Sequence, residues 1–149
     1  MGLSCCGFGH RDCNAVLTDR LYTLLHYLSY EYGVTNYLTG GMGTFDSAFC
    51  GSVRMLKRKK EGIRLSLIKP YFSNEPNWSK DYYTSCYDHV VVPNCLMGVH
   101  PKAAIRLRNR WIIDNSDFIF LYVYRNFGGA YEAFKYAKRV NKTIIELVP

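Results

Sequence analysis

Short apolar runs alternate with stretches of helical periodicity along this 149-residue chain. Leu3 to Phe8 is an apolar run that predicts a strand. Leu17, Leu21, Leu24, Leu25, Leu28 and Tyr32 then recur at i, i+4, i+7, i+8, i+11 and i+15, which is one face of a helix, and Gly33 stops it. Tyr37 to Thr39 predicts a short strand that runs directly into Gly40-Gly41-Met42-Gly43. A second helix follows, with Phe45, Ala48, Phe49, Val53 and Leu56 on its inner face. It ends among Arg54, Lys57, Arg58, Lys59 and Lys60, where cations complement the helix dipole. Ile63 to Ile68 predicts a third strand. Residues 69 to 88 are aromatic and irregular, and Pro70 and Pro76 break any long helix there. His89 to Val92 predicts a fourth strand, Lys102 to Asn115 a helix and Asp117 to Tyr124 a fifth strand. Gly128-Gly129 opens a helix to about Val140, and Thr143 to Leu147 is the last strand. Strands alternating with helices predict βαβ units and a parallel sheet. The expected architecture is α/β over residues 1–149: a single Rossmann-like domain, an open, mostly parallel sheet with helices on both faces.

Composition adds little to the fold and more to the partners. Hydrophobic residues at 48% and charged residues at 21% fit a globular domain, which excludes a disordered chain, a collagen and a disulfide scaffold. The longest apolar run, Phe118 to Tyr124, is far short of the ~18 residues that span a bilayer. Met1 to Asn14 has neither the basic nor the apolar region of a secretory leader. No membrane partner is expected, and the expected location is cytoplasmic. Nineteen Lys and Arg against twelve Asp and Glu give +7, which favours phosphate groups, nucleotides or nucleic acid as partners. Ordinary surface solubility is the other explanation of that charge. Cys5, Cys6, Cys13, Cys50, Cys86 and Cys95 form no CxxC pair and have no histidine at zinc spacing, so neither a metal nor another cofactor is expected.

Two glycine turns follow predicted strands and open helices: Gly40-Gly41-Met42-Gly43-Thr44 and Phe127-Gly128-Gly129-Ala130. Free N–H groups at a helix N-terminus attract anions, and glycine lets a ligand approach the backbone. Neither turn matches the Walker pattern or GxGxxG. Gly9-His10-Arg11 is a third element at the same predicted sheet edge, suited to phosphate or carboxylate, or else a surface loop with a basic pair. Arg108 lies on the apolar face of its helix, between Ala104, Trp111, Ile112 and Asn115. A buried arginine needs a partner. Asp46, Asp117 or Glu132 would supply an internal ion pair; a ligand phosphate or ribose is the functional alternative. Asp46 and Glu132 both fall in first helical turns. Each is either a dipole-complementing cap or a ligand contact, and Glu132 is also a candidate acid or base. Trp78, Tyr82 and Tyr83 could stack on a base, join a dimer interface or pack under a loop.

Taken together these elements resemble the SLOG superfamily, named for the Smf/DprA and LOG (Lonely Guy) proteins, and most closely its YspA/YpsA-like branch. Cys5 to Arg11 resembles that branch's opening strand with its Gly-His-Arg turn. Thr39 to Asp46 looks like its Gly-Gly-x-Gly-x-Asp turn, and Lys69-Pro70-Tyr71 with Trp78 like its post-strand loop. Arg108 to Asp114 is similar to its Arg-Asn helix motif. Gly128-Gly129-Ala130, with Tyr136-Ala137, looks like its second glycine turn and following helix. The resemblance implies a Rossmannoid sheet with a nucleotide-type pocket at the strand ends. It makes Gly9, His10, Arg11, Gly40, Gly41, Gly43, Thr44, Asp46, Arg108, Asn109, Gly128, Gly129 and Ala130 the expected binding residues. The LOG branch hydrolyses the N-glycosidic bond of nucleoside monophosphates with an Arg and a Glu. Arg108 stands at the matching place. The Glu position, seven residues past the first glycine, holds Lys135, and Glu132 lies three residues earlier.

Three functions follow. The first is binding or sensing of a nucleotide or nucleotide-derived phosphate, as a small-molecule partner, by a chain expected to form a homodimer. The second is a nucleoside monophosphate N-glycosidase in which Arg108 and Glu132 would be the catalytic pair; whether the chain is an enzyme stays open. The third, the lesser alternative, is a single-stranded nucleic-acid-binding module.

Overall fold

The computed structural model describes residues 2–10, 17–72, 82–83 and 85–147. The elements run β1 (Leu3–Gly9), α1 (Leu17–Tyr32), β2 (Val34–Thr39), α2 (Gly43–Lys59), β3 (Arg64–Ile68), β4 (His89–Val91), a 3-10 turn (Asn94–Leu96), α3 (Pro101–Asp114), β5 (Phe118–Tyr122), α4 (Gly129–Arg139) and β6 (Thr143–Glu146). The strands form one six-stranded sheet in the order β4-β3-β2-β1-β5-β6, and every neighbouring pair is parallel. This is the Rossmann-like α/β architecture.

β1 shows how the pattern builds the layers. Its side chains alternate between the two faces of the sheet, as strand geometry requires. Cys5 faces the core shared with α1 and α2, beside Leu21, Leu25, Phe49 and Val53. Cys6 and Phe8 face the opposite core, with Ile112, Ile113, Ala133 and Ala137 of α3 and α4. Gly7 and Gly9 share the Cys5 side and make room for Phe45. A Cβ at Gly9 would come within 2.4 Å of the Phe45 ring, a distance no real side chain tolerates. Two elements differ from the pattern-based expectation. β2 begins at Val34 because Val34 and Asn36 pair with Leu3 and Ser4 of β1. Thr35 and Asn36 broke the apolar run in the sequence, yet backbone pairing does not require apolar side chains. α3 begins at Pro101, an N1 position that suits proline, with the His100 ring accepting the Lys102 N–H at 3.2 Å.

The connectivity places the site. From β1 the chain proceeds through α1 to β2 on one side; from β4 it crosses through α3 to β5 on the other side of β1. Connections therefore diverge between β1 and β5, and a crevice opens above the carboxyl ends of those strands, where open α/β sheets bind ligands. The carboxyl ends of β1, β2 and β5 all open onto it. No helix among the described residues is long and apolar enough to cross a membrane.

Candidate functional site

The described residues at these three strand ends enclose a hollow of about 320 Å³. From β1 come Phe8, Gly9 and His10; from the turn after β2, Gly40, Met42 and Asp46; from the loop after β5, Arg125, Phe127, Gly128, Gly129 and Ala130. α3 closes the side with Ile105, Arg108 and Asn109.

Arg108 is the most constrained residue of the site. It is only 3% exposed, yet it lines the hollow. Its Nη1 donates to the Ile68 carbonyl at 2.9 Å and, at 3.4 Å, to that of Gly40. Its Nε donates to Asn109 Oδ1 at 2.8 Å, while among the described residues Nη2 meets only the Met42 sulfur, at 3.8 Å. None of the carboxylates considered from sequence pairs with it. Asp117 accepts the Ser4 N–H, Glu132 pairs with Lys135 at 3.3 Å, and Asp46 is not within ion-pair distance of Arg108. Burial pushes the Arg108 guanidinium below its ordinary pKa, and the fields of Asp46 and Tyr71 oppose that shift. A guanidinium stays protonated regardless. The wall of the hollow therefore carries a desolvated cation held in place by neutral acceptors.

Gly40 makes this packing possible, because a Cβ there would come within 3.0 Å of the Arg108 guanidinium carbon. Gly41 and Gly43 have φ of 70° and 91°, the left-handed region that glycine occupies without strain. They shape the turn, and together with the exposed Thr44 they lie outside the walls of the hollow. The Met42 N–H donates to Asp46 Oδ2 at 2.8 Å, so the first turn of α2 already holds a carboxylate. The N-terminus of α4 differs. Gly128 caps it at φ 94° and ψ 174° with no side-chain hydrogen bond, and its first N–H groups have no intrahelical acceptor. Two helix N-termini thus face the hollow, one occupied by Asp46 and one open to an anion.

His10 is 6% exposed, and its Nε2 accepts the Arg125 N–H at 3.1 Å. That bond ties the loop after β5 to the end of β1. The Arg125 guanidinium lies over the rings of Tyr124 and Phe127, at 4.9 Å and 5.8 Å. Arg125 was not among the residues expected from sequence, and Phe127 entered only as the residue leading into the second glycine turn. They lie in an irregular loop with no periodicity, and their one cue is position just before Gly128. Glu132 faces away from the hollow. It lines a neighbouring groove between α3 and α4, with its side chain 58% exposed. Arg11 and Trp78 fall outside the described residues. No group of three or more metal-ligating side chains is present among the described residues.

Two solved structures share this architecture. DNA processing protein A from Helicobacter pylori, whose single-stranded DNA binding mode its structure addresses, is 15% identical with a TM-score of 0.66. The likeness covers 97% of this chain and 65% of that one, so the chain spans about two thirds of that protein's length. TM1055, a structural-genomics target, is 14% identical with a TM-score of 0.62, covering 95% of this chain and 72% of that one. At such identities the likeness establishes the fold, and the fold is the one that the SLOG resemblance implied, with a DprA protein among its neighbours. No protein-family model and no curated protein matches the chain.

Proposed function

We propose that the protein binds a nucleotide or nucleotide-derived phosphate in the hollow at the carboxyl edge of the sheet. The carrying observation is Arg108, a cation 97% removed from water that lines the hollow and has no carboxylate partner among the described residues. A buried charge without a counter-ion costs several kcal/mol, and an anionic ligand relieves that cost. The open N-terminus of α4 adds backbone donors on the facing wall. Asp46 suits a sugar hydroxyl, since a carboxylate accepts hydrogen bonds and repels phosphate. Hydrolysis in the LOG manner gains less support, because Glu132 stands in the neighbouring groove and Asp46 is the carboxylate on the hollow. Single-stranded DNA, the subject of the Helicobacter structure, is the alternative anion that the fold likeness brings forward.

The test is thermal unfolding against AMP, inorganic pyrophosphate and adenosine. Saturation near 100 times Kd stabilises by about 2.7 kcal/mol. AMP is expected to raise Tm, and adenosine to do so much less. Arg108→Met should abolish the increment, and Arg108→Lys should weaken it by losing the bonds to Ile68 and Gly40. Stabilisation that survives both substitutions overturns the assignment. Chromatography of the same mixtures reads out catalysis: base released by the wild type and lost in Glu132→Gln would make it an enzyme.

A further inference from the structure

The hollow does not end at α3. Behind Ile105 and Asn109 it meets a groove of about 280 Å³ between α3 and α4, nearly its own size. The floor of the groove is apolar, from Ile113 and Ala133, with Tyr136 on its wall. Its rim is basic: Lys102, Arg106 and Arg110 stand at i, i+4 and i+8 on one stripe of α3. The Arg110 guanidinium lies 5.0 Å over the Tyr136 ring, whereas the Lys102 and Arg106 side chains have no partner within the described residues. The one acidic residue there, Glu132, is neutralised by Lys135. An apolar floor under a cationic rim fits a flat, uncharged ring carried on an anionic linker.

The neck between the two spaces specifies that linker. Ile105, Asn109 and Gly129 line both. Because Arg108 Nε donates to Asn109 Oδ1, the Asn109 side chain presents its NH₂ elsewhere, with no acceptor among the described residues. Gly129 is the first residue of α4, so its N–H has no intrahelical acceptor either. Two donors at a neck whose side-chain acceptor, Asn109 Oδ1, is already engaged by Arg108 suit the oxygens of a bridging phosphate.

We infer that the groove is a second subsite of the same ligand, and that this ligand is of dinucleotide length: one nucleotide unit in the hollow, joined through a phosphate bridge at the neck to a second nucleoside or ribose unit in the groove. The inference rests on the reading of the hollow as a nucleotide site. A mononucleotide would leave the neck donors and the three rim cations to water.

Calorimetric titration of the full chain with AMP, ADP-ribose and pApA tests it, the latter two separating a pyrophosphate bridge from a phosphodiester. Linking two subsites raises affinity through effective concentration, so at least one of the longer probes should bind at least about tenfold tighter than AMP. The double variant Arg106→Glu, Arg110→Glu should cancel that advantage and leave AMP binding unchanged. Equal affinity for all three probes overturns the inference and leaves the hollow intact as a mononucleotide site. A double variant that weakens AMP and the longer probes alike also overturns it, since the effect is then general electrostatics. A variant that changes only the oligomeric state on size exclusion makes the groove an interface between copies, against the inference. Absence of AMP binding at millimolar concentration overturns the nucleotide reading and the inference together.

Discussion

Arg108 is held by carbonyls where the sequence offered an ion pair or a ligand as its partner, and this difference bears on function. A carboxylate partner would have neutralised the guanidinium and closed the site to anions. The carbonyls of Ile68 and Gly40 fix its position and leave its charge available. Asp88 shows the opposite arrangement. Burial raises its pKa, but the Lys57 ammonium at 2.6 Å and the Leu65 N–H at 2.8 Å outweigh burial and hold it below the ordinary value. A depressed carboxylate stabilises the fold above its unfolded pKa and loses that contribution as pH falls through the folded value. Asp88→Asn is therefore expected to lower stability at neutral pH, by about 1 kcal/mol or less because the pair is partly solvated. The difference between the two proteins in urea unfolding should shrink below the ordinary carboxylate pKa of 3.8 and close once the pH has fallen through the lower folded value. A gap that persists in acid would mean the effect comes from packing.

At the scale of elements, the entry of α4 matters most. Its position depends on Gly128, whose φ and ψ fall in a region that is essentially glycine-only. Nothing lies within 4 Å of a Cβ placed there, so the cost of a side chain is backbone strain with no clash. Gly128→Ala is expected to destabilise by about 1–3 kcal/mol. It should also weaken nucleotide binding, since relief of the strain rotates the N–H groups that face the hollow. Chemical denaturation and the thermal-shift assay read the two effects separately, and unchanged affinity would remove the α4 N-terminus from the site. Helix phase also explains why Glu132 parts from its neighbours. Ala130 and Glu132 are about 200° apart on a helical wheel, so a helix that turns Ala130 into the hollow turns Glu132 out of it.

For the whole molecule, the two cores on either side of the sheet keep three of the five described thiols from reacting. Cys5 and Cys6 are fully buried, and burial pushes the Cys6 thiol up to about 12. Cys50 is pushed up to about 11 by the same cause. A thiolate is the reactive form, so these groups should resist alkylation in the native state, while the exposed Cys95 reacts at once. Mass spectrometry of peptides after brief labelling should find Cys95 modified and Cys5, Cys6 and Cys50 modified only under denaturing conditions. Early labelling of Cys5 or Cys6 would show that the sheet opens locally.

Apolar spacing along the chain was sufficient for α1, α2, the strand-helix alternation and the two glycine turns, because each depends on contacts within a few residues or on a fixed period of burial. It also put Arg108 on an apolar face, since that is a property of the helical wheel alone. The partner of that arginine, the early start of β2, the part played by Arg125 and Phe127, and the separation of Glu132 from the hollow were decided by the tertiary structure. Each depends on groups distant in sequence: a carbonyl at Ile68 against a guanidinium at 108, a strand pairing between positions 3 and 34, a histidine at 10 holding the amide of 125. Local patterning carries no record of such pairs, because the sheet order that brings them together is set by how all the layers bury their apolar faces at once.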